Sequence, residues 1–99
     1  MVENSISLII PALNEESVVG NVVEDIYKQA RAWLPQFELI LIDDGSTDGT
    51  GNIMKNFASD KQNVKVIVNE RNRGLGASFQ RGLRESSNNY VMLLCGDGG

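Results

Sequence analysis

Four short apolar runs alternate along the chain with longer segments of helical character. The runs read SISLII (5–10), FELILI (37–42), VKVIVN (64–69) and YVMLL (90–94), and each is rich in Ile, Val and Leu. Continuous apolar runs of this length are typical of strands that are buried on both faces. The pattern therefore predicts four strands.

The segments between these runs carry apolar residues four positions apart, so each presents one apolar stripe to a sheet. The stripes are Val18, Val22, Ile26 and Ala30 in the first segment, Ile53 and Phe57 in the second, and Phe79 and Leu83 in the third. Strands that alternate with helices favour parallel pairing through right-handed crossovers. We therefore expect a three-layer α/β/α fold with an open, mostly parallel sheet, in the order β-α-β-α-β-α-β.

Each unusual polar cluster in the sequence follows one of the predicted strands. The clusters are PALNEE after the first strand, DDGSTDGT after the second, ERNRGLGAS after the third and CGDGG after the fourth. In open α/β sheets, ligands bind outside the carboxyl ends of the strands, where neighbouring connections diverge to opposite faces. The sequence therefore predicts a ligand site at this edge of the sheet.

Composition and charge narrow the class of ligand. The chain is 41% hydrophobic and 22% charged, as in ordinary globular proteins, and its net charge of −4 disfavours nucleic-acid binding. Basic and acidic residues cluster in different parts of the sequence. This separation suits a small anionic ligand, such as a phosphate, with a cation between it and the carboxylates. Four of the nine basic residues are Arg71, Arg73, Arg81 and Arg84, whereas the acids at other turns include Asp43, Asp44, Asp48 and Asp97.

The two ends of the sequence suggest its location and extent. The opening MVENS has none of the features of a signal peptide, and no apolar run approaches the roughly 18 residues that a membrane span requires. We expect a location in the cytoplasm or at the cytoplasmic face of a membrane. The chain stops just after the fourth strand, so we expect residues 1–99 to form one domain, the N-terminal part of a longer protein. The open apolar edge invites pairing with a second copy, as in a homodimer.

Several familiar ligand-binding motifs are absent. The first turn lacks G-x-G-x-x-G, no P-loop motif occurs, and the chain has no histidine for hydrolytic triads or the usual zinc sites. A receiver-like domain would have its acidic pair at Ala12-Leu13, and a nucleotidyltransferase would have a glycine-rich basic loop in place of PALNEE. The remaining oxygen-rich turns suit a hard cation such as Mg²⁺ or Mn²⁺ shared with a diphosphate.

The motifs IIPALNEE, LIDDGSTDGT and NRGLGAS, with Gly82 and a final strand ending in GD, resemble the nucleotide-binding half of family 2 glycosyltransferases. These are inverting enzymes of the GT-A fold, and the chain is most similar to those that transfer a sugar to a polyprenyl phosphate, the dolichol-phosphate mannose synthase type. The resemblance implies a sugar donor linked to UDP or GDP, a Mg²⁺ or Mn²⁺ ion, and a polyprenyl phosphate acceptor. The acceptor site and catalytic base normally follow the fourth strand, so we expect the 99-residue chain alone to be inactive.

The resemblance implies that the first turn forms the wall beside the nucleoside. The residues concerned are Pro11, Ala12, Leu13, Asn14 and Glu15, and Glu15 would contact the base or the ribose. An alternative is that Asn14 and Glu15 only cap the following helix.

The second turn supplies the acidic pair. By resemblance, Asp43 would accept a hydrogen bond from the base, and Asp44 would support the ribose or the loop. Ser46, Thr47 and Asp48 are residues that commonly begin helices, and we expect them to shape the loop.

The third turn is expected to hold the diphosphate. Arg71 or Arg73 would lie beside the phosphates, and Asn72 belongs to the same turn. Gly74 and Gly76 would let the backbone approach closely at a helix N-terminus, where the helix dipole favours anions. Arg81 would join the site only if its face of the helix turns towards it.

The fourth cluster carries the expected metal ligand. The family uses Asp-x-Asp there; in this chain Asp97 matches the second acid, and Cys95 replaces the first. Asp97 is the one candidate for a catalytic, metal-binding role, whereas Cys95 is typical of a small buried residue. The replacement leaves open a second interpretation, a non-catalytic nucleotide-binding or assembly module of the same fold.

Overall fold

Strands and helices alternate along the chain as the hydrophobic pattern predicts. The computed structural model describes residues 5–88 and 90–94. The elements are β1 (Ser5–Ala12), α1 (Val19–Trp33), β2 (Gln36–Asp43), α2 (Thr50–Ala58), β3 (Val64–Val68), α3 (Leu75–Glu85) and β4 (Tyr90–Leu93). None of the helices within the described ranges has the length and apolar character needed to cross a bilayer.

The four strands form one parallel sheet in the order β3-β2-β1-β4. The register of β1 with β2 runs from Ser5 opposite Gln36 to Ala12 opposite Asp43. The chain steps from β1 through β2 to β3, and then crosses back to place β4 on the other side of β1. The sheet therefore has a topological switch between β1 and β4, the arrangement that opens a crevice at the carboxyl edge.

Two hydrophobic clusters, one on each face of the sheet, confirm the three-layer architecture. Alternate residues of the strands point to opposite faces. One cluster packs the sheet against α1 and α2 and includes Leu8, Ile10, Leu39, Leu41 and Met54. The other packs the sheet against α3 and contains Ile9, Ile40, Ile42 and Ile67, with Phe79 and Val91 at its margin. β1 and β2 contribute to both clusters, as their unbroken apolar sequences predict.

The buried helix faces differ in detail from the predicted stripes. In α1 the buried valines are Val19 and Val23 rather than Val18 and Val22, because neighbouring valines fit either stripe and the pattern cannot choose between them. In α3 the prediction that Leu83 faces the sheet is wrong. Leu83 is 40% exposed, whereas Gly82 lies on the buried face of α3. A residue without a side chain at this position lets the helix approach the sheet closely.

A buried carboxylate, Glu38, joins three elements near the amino end of β2. Its Oε2 accepts hydrogen bonds from Ser7 Oγ at 2.6 Å and from the Ser87 backbone N–H at 2.7 Å, and Lys65 Nζ lies 3.1 Å from Oε1. Burial alone would raise the pKa of Glu38, but the hydrogen bonds from Ser7, Ser87 and Lys65 outweigh burial and hold the pKa below its ordinary value. The ionised side chain therefore anchors the α3–β4 connection to the sheet.

Replacing Glu38 by Gln should destabilise the fold by about 1–3 kcal/mol at neutral pH, because an amide N–H₂ would face a buried donor. A carboxylate whose pKa is lowered by folding stabilises the native state above its unfolded pKa, and this contribution disappears as the pH falls through the folded value. The difference in unfolding free energy between the wild type and E38Q should therefore shrink from pH 7 to pH 3. Urea denaturation at several pH values measures it, and a constant difference would contradict this account.

Replacing Gly82 by Ala should also destabilise the fold, by about 1–3 kcal/mol, because overpacking forces neighbours to move. A Cβ at this position would lie 2.7 Å from Ile9 Cδ1 and 2.8 Å from Ile9 Cγ2. Gly76 in the same helix is the matched control, since a Cβ there meets nothing within 4 Å. Gly76→Ala should be neutral or stabilising by up to about 1 kcal/mol through helix propensity. Equal effects of the two substitutions in urea denaturation would refute the packing argument.

Candidate functional site

The loops that follow β1, β2 and β3 meet at the carboxyl edge of the sheet and enclose a hollow of about 310 Å³. We call it the switch-point hollow, because it borders the end of β1 where the sheet order changes direction. Its lining residues are Pro11, Ala12, Leu13, Asp44, Asn72, Gly74 and Leu75. All of these except Leu75 are candidate site residues in the sequence. A leucine that follows a turn gives no sign in the sequence of which side it faces.

Hydrogen bonds join the β1–α1 loop to the β2–α2 loop. The backbone N–H of Asn14 donates to Ser46 Oγ at 2.9 Å, and the side-chain oxygen of Asn14 accepts from the Thr47 N–H at 2.8 Å. The Glu15 N–H donates to Thr50 Oγ1 at 2.9 Å. Helix α1 begins without a side-chain cap, so the side chains of Asn14 and Glu15 do not cap it, although the Glu15 carbonyl accepts from the Val18 and Val19 N–H groups. Both residues instead fix the position of the neighbouring loop.

Asp43 is buried and faces the start of α2. Its Oδ1 accepts a hydrogen bond from the Ser46 backbone N–H at 2.9 Å, and a Cβ added to Gly51 would collide with Oδ2. Only 5% of Asp43 is exposed, and it does not line the switch-point hollow. The side chain therefore shapes the β2–α2 turn.

Asp44, its neighbour, faces the opposite way and holds the β3–α3 loop. Its Oδ1 accepts from Asn69 Nδ2 and the Arg73 backbone N–H, both at 2.9 Å, and its Oδ2 accepts from the Gly74 N–H at 3.0 Å. Burial alone would raise the pKa of Asp44, but hydrogen bonds from Arg73, Asn69, Gly74 and Ser78 outweigh it and lower the pKa. The hollow thus has an ionised carboxylate in its wall at neutral pH.

Two glycines with left-handed backbone conformation allow these loops to come together. Gly45 has φ +83°, and a Cβ there would collide with the backbone of Arg71 and Asn72. Gly74 has φ +92° and directly precedes α3. Residues with a Cβ rarely adopt this conformation, so glycine at both positions is a backbone requirement.

The basic side chains of the third turn do not converge on the switch-point hollow. Arg73 instead lines a second hollow of about 570 Å³, which we call the arginine hollow. Its lining residues are Val68, Asn69, Glu70, Arg73, Ala77, Gln80, Arg81 and Arg84, and it shares none of them with the first hollow. Arg71 is exposed and lines neither hollow, so its expected place beside a diphosphate stays a prediction.

A metal site cannot be built from the described part of the chain alone. Within residues 5–88 and 90–94, no group of three or more Cys, Asp or Glu residues could hold an ion. Asp43 accepts one hydrogen bond, from the Ser46 N–H, and Asp44 accepts three, from Asn69, Arg73 and Gly74. The predicted ligand Asp97 and its neighbour Cys95 lie outside the described residues, so the predicted metal site rests on the sequence.

The open parallel sheet with its switch point has the architecture of the nucleotide-binding half of GT-A glycosyltransferases. The family model for glycosyl transferase family 2 matches residues 7–98. The chain therefore belongs to glycosyl transferase family 2, as its motifs predict.

Two curated relatives are similar in sequence to this chain over almost its whole length. The undecaprenyl-phosphate 4-deoxy-4-formamido-L-arabinose transferase of Proteus mirabilis is 30% identical over 95 residues, which is 95% of this chain and 29% of that protein. The dodecaprenyl-phosphate galacturonate synthase of Rhizobium johnstonii is 33% identical over 93% of this chain and 28% of its own length. The chain thus spans less than a third of the length of either relative.

A solved structure with the same fold contains a sugar nucleotide. It is residues 1–349 of Staphylococcus aureus TarS in complex with UDP-GlcNAc, which superimposes with a TM-score of 0.81 at 29% identity. The match covers 94% of this chain and 26% of that one.

Replacing Asp44 by Asn should loosen the β3–α3 loop. One donor among Asn69, Arg73 and Gly74 would then face an amide N–H₂, which costs about 1–3 kcal/mol. Hydrogen exchange of the Arg73 and Gly74 amides should accelerate, and the unfolding free energy should fall by that amount. The matched control is Asp25→Asn, the same change at an exposed position of α1. If both variants exchange at the wild-type rate, Asp44 does not hold the loop.

Proposed function

We propose that this chain is the donor-binding part of an inverting glycosyltransferase, and that the switch-point hollow receives a nucleoside-diphosphate sugar. The observation that carries the proposal is the ionised Asp44, the only acid among the described residues that line the hollow. A fixed carboxylate can accept a hydrogen bond from an N–H group of uracil or guanine, and the TarS fragment that shares this fold is in complex with UDP-GlcNAc.

The orientation of the two acids favours Asp44 over Asp43 as the residue that reads the base. The family resemblance assigns that role to Asp43, but Asp43 faces α2 and bonds the Ser46 N–H. Asp44, in contrast, lines the hollow. In this proposal Asp43 acts through the shape of the loop, and Asp44 both holds the loop and contacts the nucleotide.

The apolar part of the hollow suits the flat face of a base or ribose. Pro11, Ala12 and Leu13 form one wall at the end of β1, and Leu75 lines the hollow from the start of α3. Leu75 is 58% exposed. Ligand sites commonly combine such apolar walls with a few polar groups that fix orientation. We propose that the base packs between these walls.

The start of α3 suits the diphosphate. Gly74 precedes the helix without a side-chain cap, so the first N–H groups of α3 are available to an anion. The helix dipole adds partial positive charge at the same point. Gly76 has nothing within 4 Å of its Cβ position, which leaves room for phosphate oxygens close to the backbone.

Asp97 completes the proposal as the ligand of Mg²⁺ or Mn²⁺. A related structure with the same fold, glucosyl-3-phosphoglycerate synthase of Mycobacterium tuberculosis, contains Mn²⁺, UDP and phosphoglyceric acid, at 29% identity and a TM-score of 0.72. It covers 94% of this chain and 33% of that one. A bound divalent cation neutralises charge on the leaving diphosphate.

The proposed reaction is a single displacement at the anomeric carbon. An acceptor oxygen attacks that carbon, the bond to the diphosphate breaks, and configuration inverts. The names of the Proteus and Rhizobium relatives support a polyprenyl phosphate as acceptor. The proposed location is the cytoplasmic face of a membrane, where such a lipid acceptor can meet a water-soluble donor. The family match over residues 7–98 favours this function over a non-catalytic module.

Calorimetric titration of UDP and GDP, with and without Mn²⁺, tests donor binding. One nucleotide should bind better when Mn²⁺ is present, and Asp97→Asn should remove that enhancement. Asp44→Asn should weaken binding about tenfold or more, the size expected for a lost hydrogen bond to a charged group. Asp43→Asn keeps an oxygen that can accept from Ser46, so it should retain affinity.

The Asp60→Asn variant serves as the control, because Asp60 is exposed and lies after α2, away from the hollow. Two-dimensional NMR spectra would establish that each variant is folded before it is titrated. If Asp43→Asn loses affinity and folded Asp44→Asn does not, the roles implied by the family resemblance are right and ours are wrong. If neither UDP nor GDP binds the folded chain, donor binding itself is refuted.

A further inference from the structure

The arginine hollow lies beside the proposed donor site but is distinct from it. One wall is the face of α3 on which Ala77, Gln80, Arg81 and Arg84 recur at helical spacing. The opposite wall is the end of β3 and the loop after it. At about 570 Å³ it is larger than the switch-point hollow, at about 310 Å³.

The hollow concentrates positive charge in an acidic protein. Arg73, Arg81 and Arg84 contribute three positive charges, and Glu70 contributes one negative charge, so the described residues of the lining carry a formal charge of +2. The whole chain has a formal charge of −4. The three ion pairs between described residues all use lysines, which leaves these guanidinium groups without a carboxylate partner in this part of the chain.

The wall that presents Arg73 is held in place by buried hydrogen bonds. Asn69 lines the hollow and is only 5% exposed, and its side chain donates to Asp44 at 2.9 Å and to Ser78 at 3.3 Å. The Arg73 backbone N–H is fixed by the same Asp44. A rigid wall reduces the entropy lost when a ligand binds.

Successive residues of the β3–α3 loop separate the two hollows. Asn72 and Gly74 line the switch-point hollow, whereas Arg73 between them lines the arginine hollow. Because the two hollows share no lining residue within 5–88 and 90–94, a ligand in the second hollow does not need to occupy the donor site.

We propose that the arginine hollow is a second ligand site, which binds a phosphate monoester or diester group other than the donor diphosphate. Guanidinium groups bind phosphate oxygens through paired, charge-assisted hydrogen bonds. Arg81 and Arg84 lie three positions apart on one face of α3, and Arg73, in the loop that leads into this helix, lines the same hollow. Glu70 reduces the positive charge of the hollow. It therefore favours a ligand with one phosphate group over a ligand with more negative charge.

The phosphate of this ligand can belong to a soluble ester or to a lipid headgroup, and the experiment separates these sources. Inorganic phosphate and glycerol 3-phosphate are titrated into the ¹⁵N-labelled 99-residue chain, and the Nε–Hε signals of Arg73, Arg81 and Arg84 are followed by NMR. In a parallel arm, the chain is sedimented with phosphatidylglycerol vesicles and with neutral phosphatidylcholine vesicles.

Saturable shifts of these arginine signals are expected with both soluble probes. Arg81→Gln and Arg84→Gln should each weaken binding about five- to tenfold. Glu70→Gln should strengthen phosphate binding about two- to threefold, because the substitution removes an exposed negative charge that repels the phosphate. Arg31→Gln on α1 makes the same charge change on the other face of the sheet and should leave the affinity unchanged.

Vesicle binding that requires phosphatidylglycerol, and that is lost in Arg81→Gln but kept in Arg31→Gln, would assign the site to a lipid headgroup. Soluble binding without vesicle binding would assign it to a soluble phosphate ester. The proposal is overturned if no saturable shift occurs, or if Arg31→Gln weakens phosphate binding as much as Arg81→Gln does. Neither result depends on whether UDP or GDP binds, so the test is independent of the proposed donor site.

Discussion

The carboxylate of Asp44 is the interaction on which the carboxyl edge of this sheet depends. It accepts hydrogen bonds from a side chain at the end of β3 and from two consecutive backbone N–H groups of the following loop. Without Asp44 these donors would lose this acceptor, and leaving a buried donor unpaired lowers the stability of the fold. A single ionised side chain therefore sets the path of the loop that enters α3, and with it the shape of both hollows.

The remaining loops are tied to this edge in the same manner, by polar side chains that bond the backbone of a neighbour. Asn14 bonds the second loop through its backbone and its side chain, and Asp43 bonds the Ser46 N–H within its own turn. Residues that look like ligand-binding candidates in the sequence thus serve partly to join loops. The same polar chemistry suits both tasks, since a turn and a ligand each present N–H groups to an oxygen.

The fold followed from the sequence with few errors. Unbroken runs of Ile, Leu and Val bury on both faces of a parallel sheet, so the runs at 5–10 and 37–42 predicted the two central strands correctly. Prediction failed where the pattern was degenerate. Adjacent valines at the start of α1 fit two stripes, and in α3 it is Gly82, next to Ile9, that is buried, whereas Leu83 is 40% exposed. The spacing of apolar residues alone does not predict that a glycine, and not a leucine, will lie on the buried face of a helix.

The sequence by itself determined the α/β class, the family and the edge of the sheet at which the polar loops gather, because apolar period and motif order are local properties of the chain. The tertiary structure decided which way each side chain faces. Asp43 and Asp44 are neighbours of one residue type but point to opposite faces, and Arg73 turns away from the hollow that its neighbours Asn72 and Gly74 line. Such directions depend on backbone twist and on contacts between residues far apart in the chain, which no local pattern encodes.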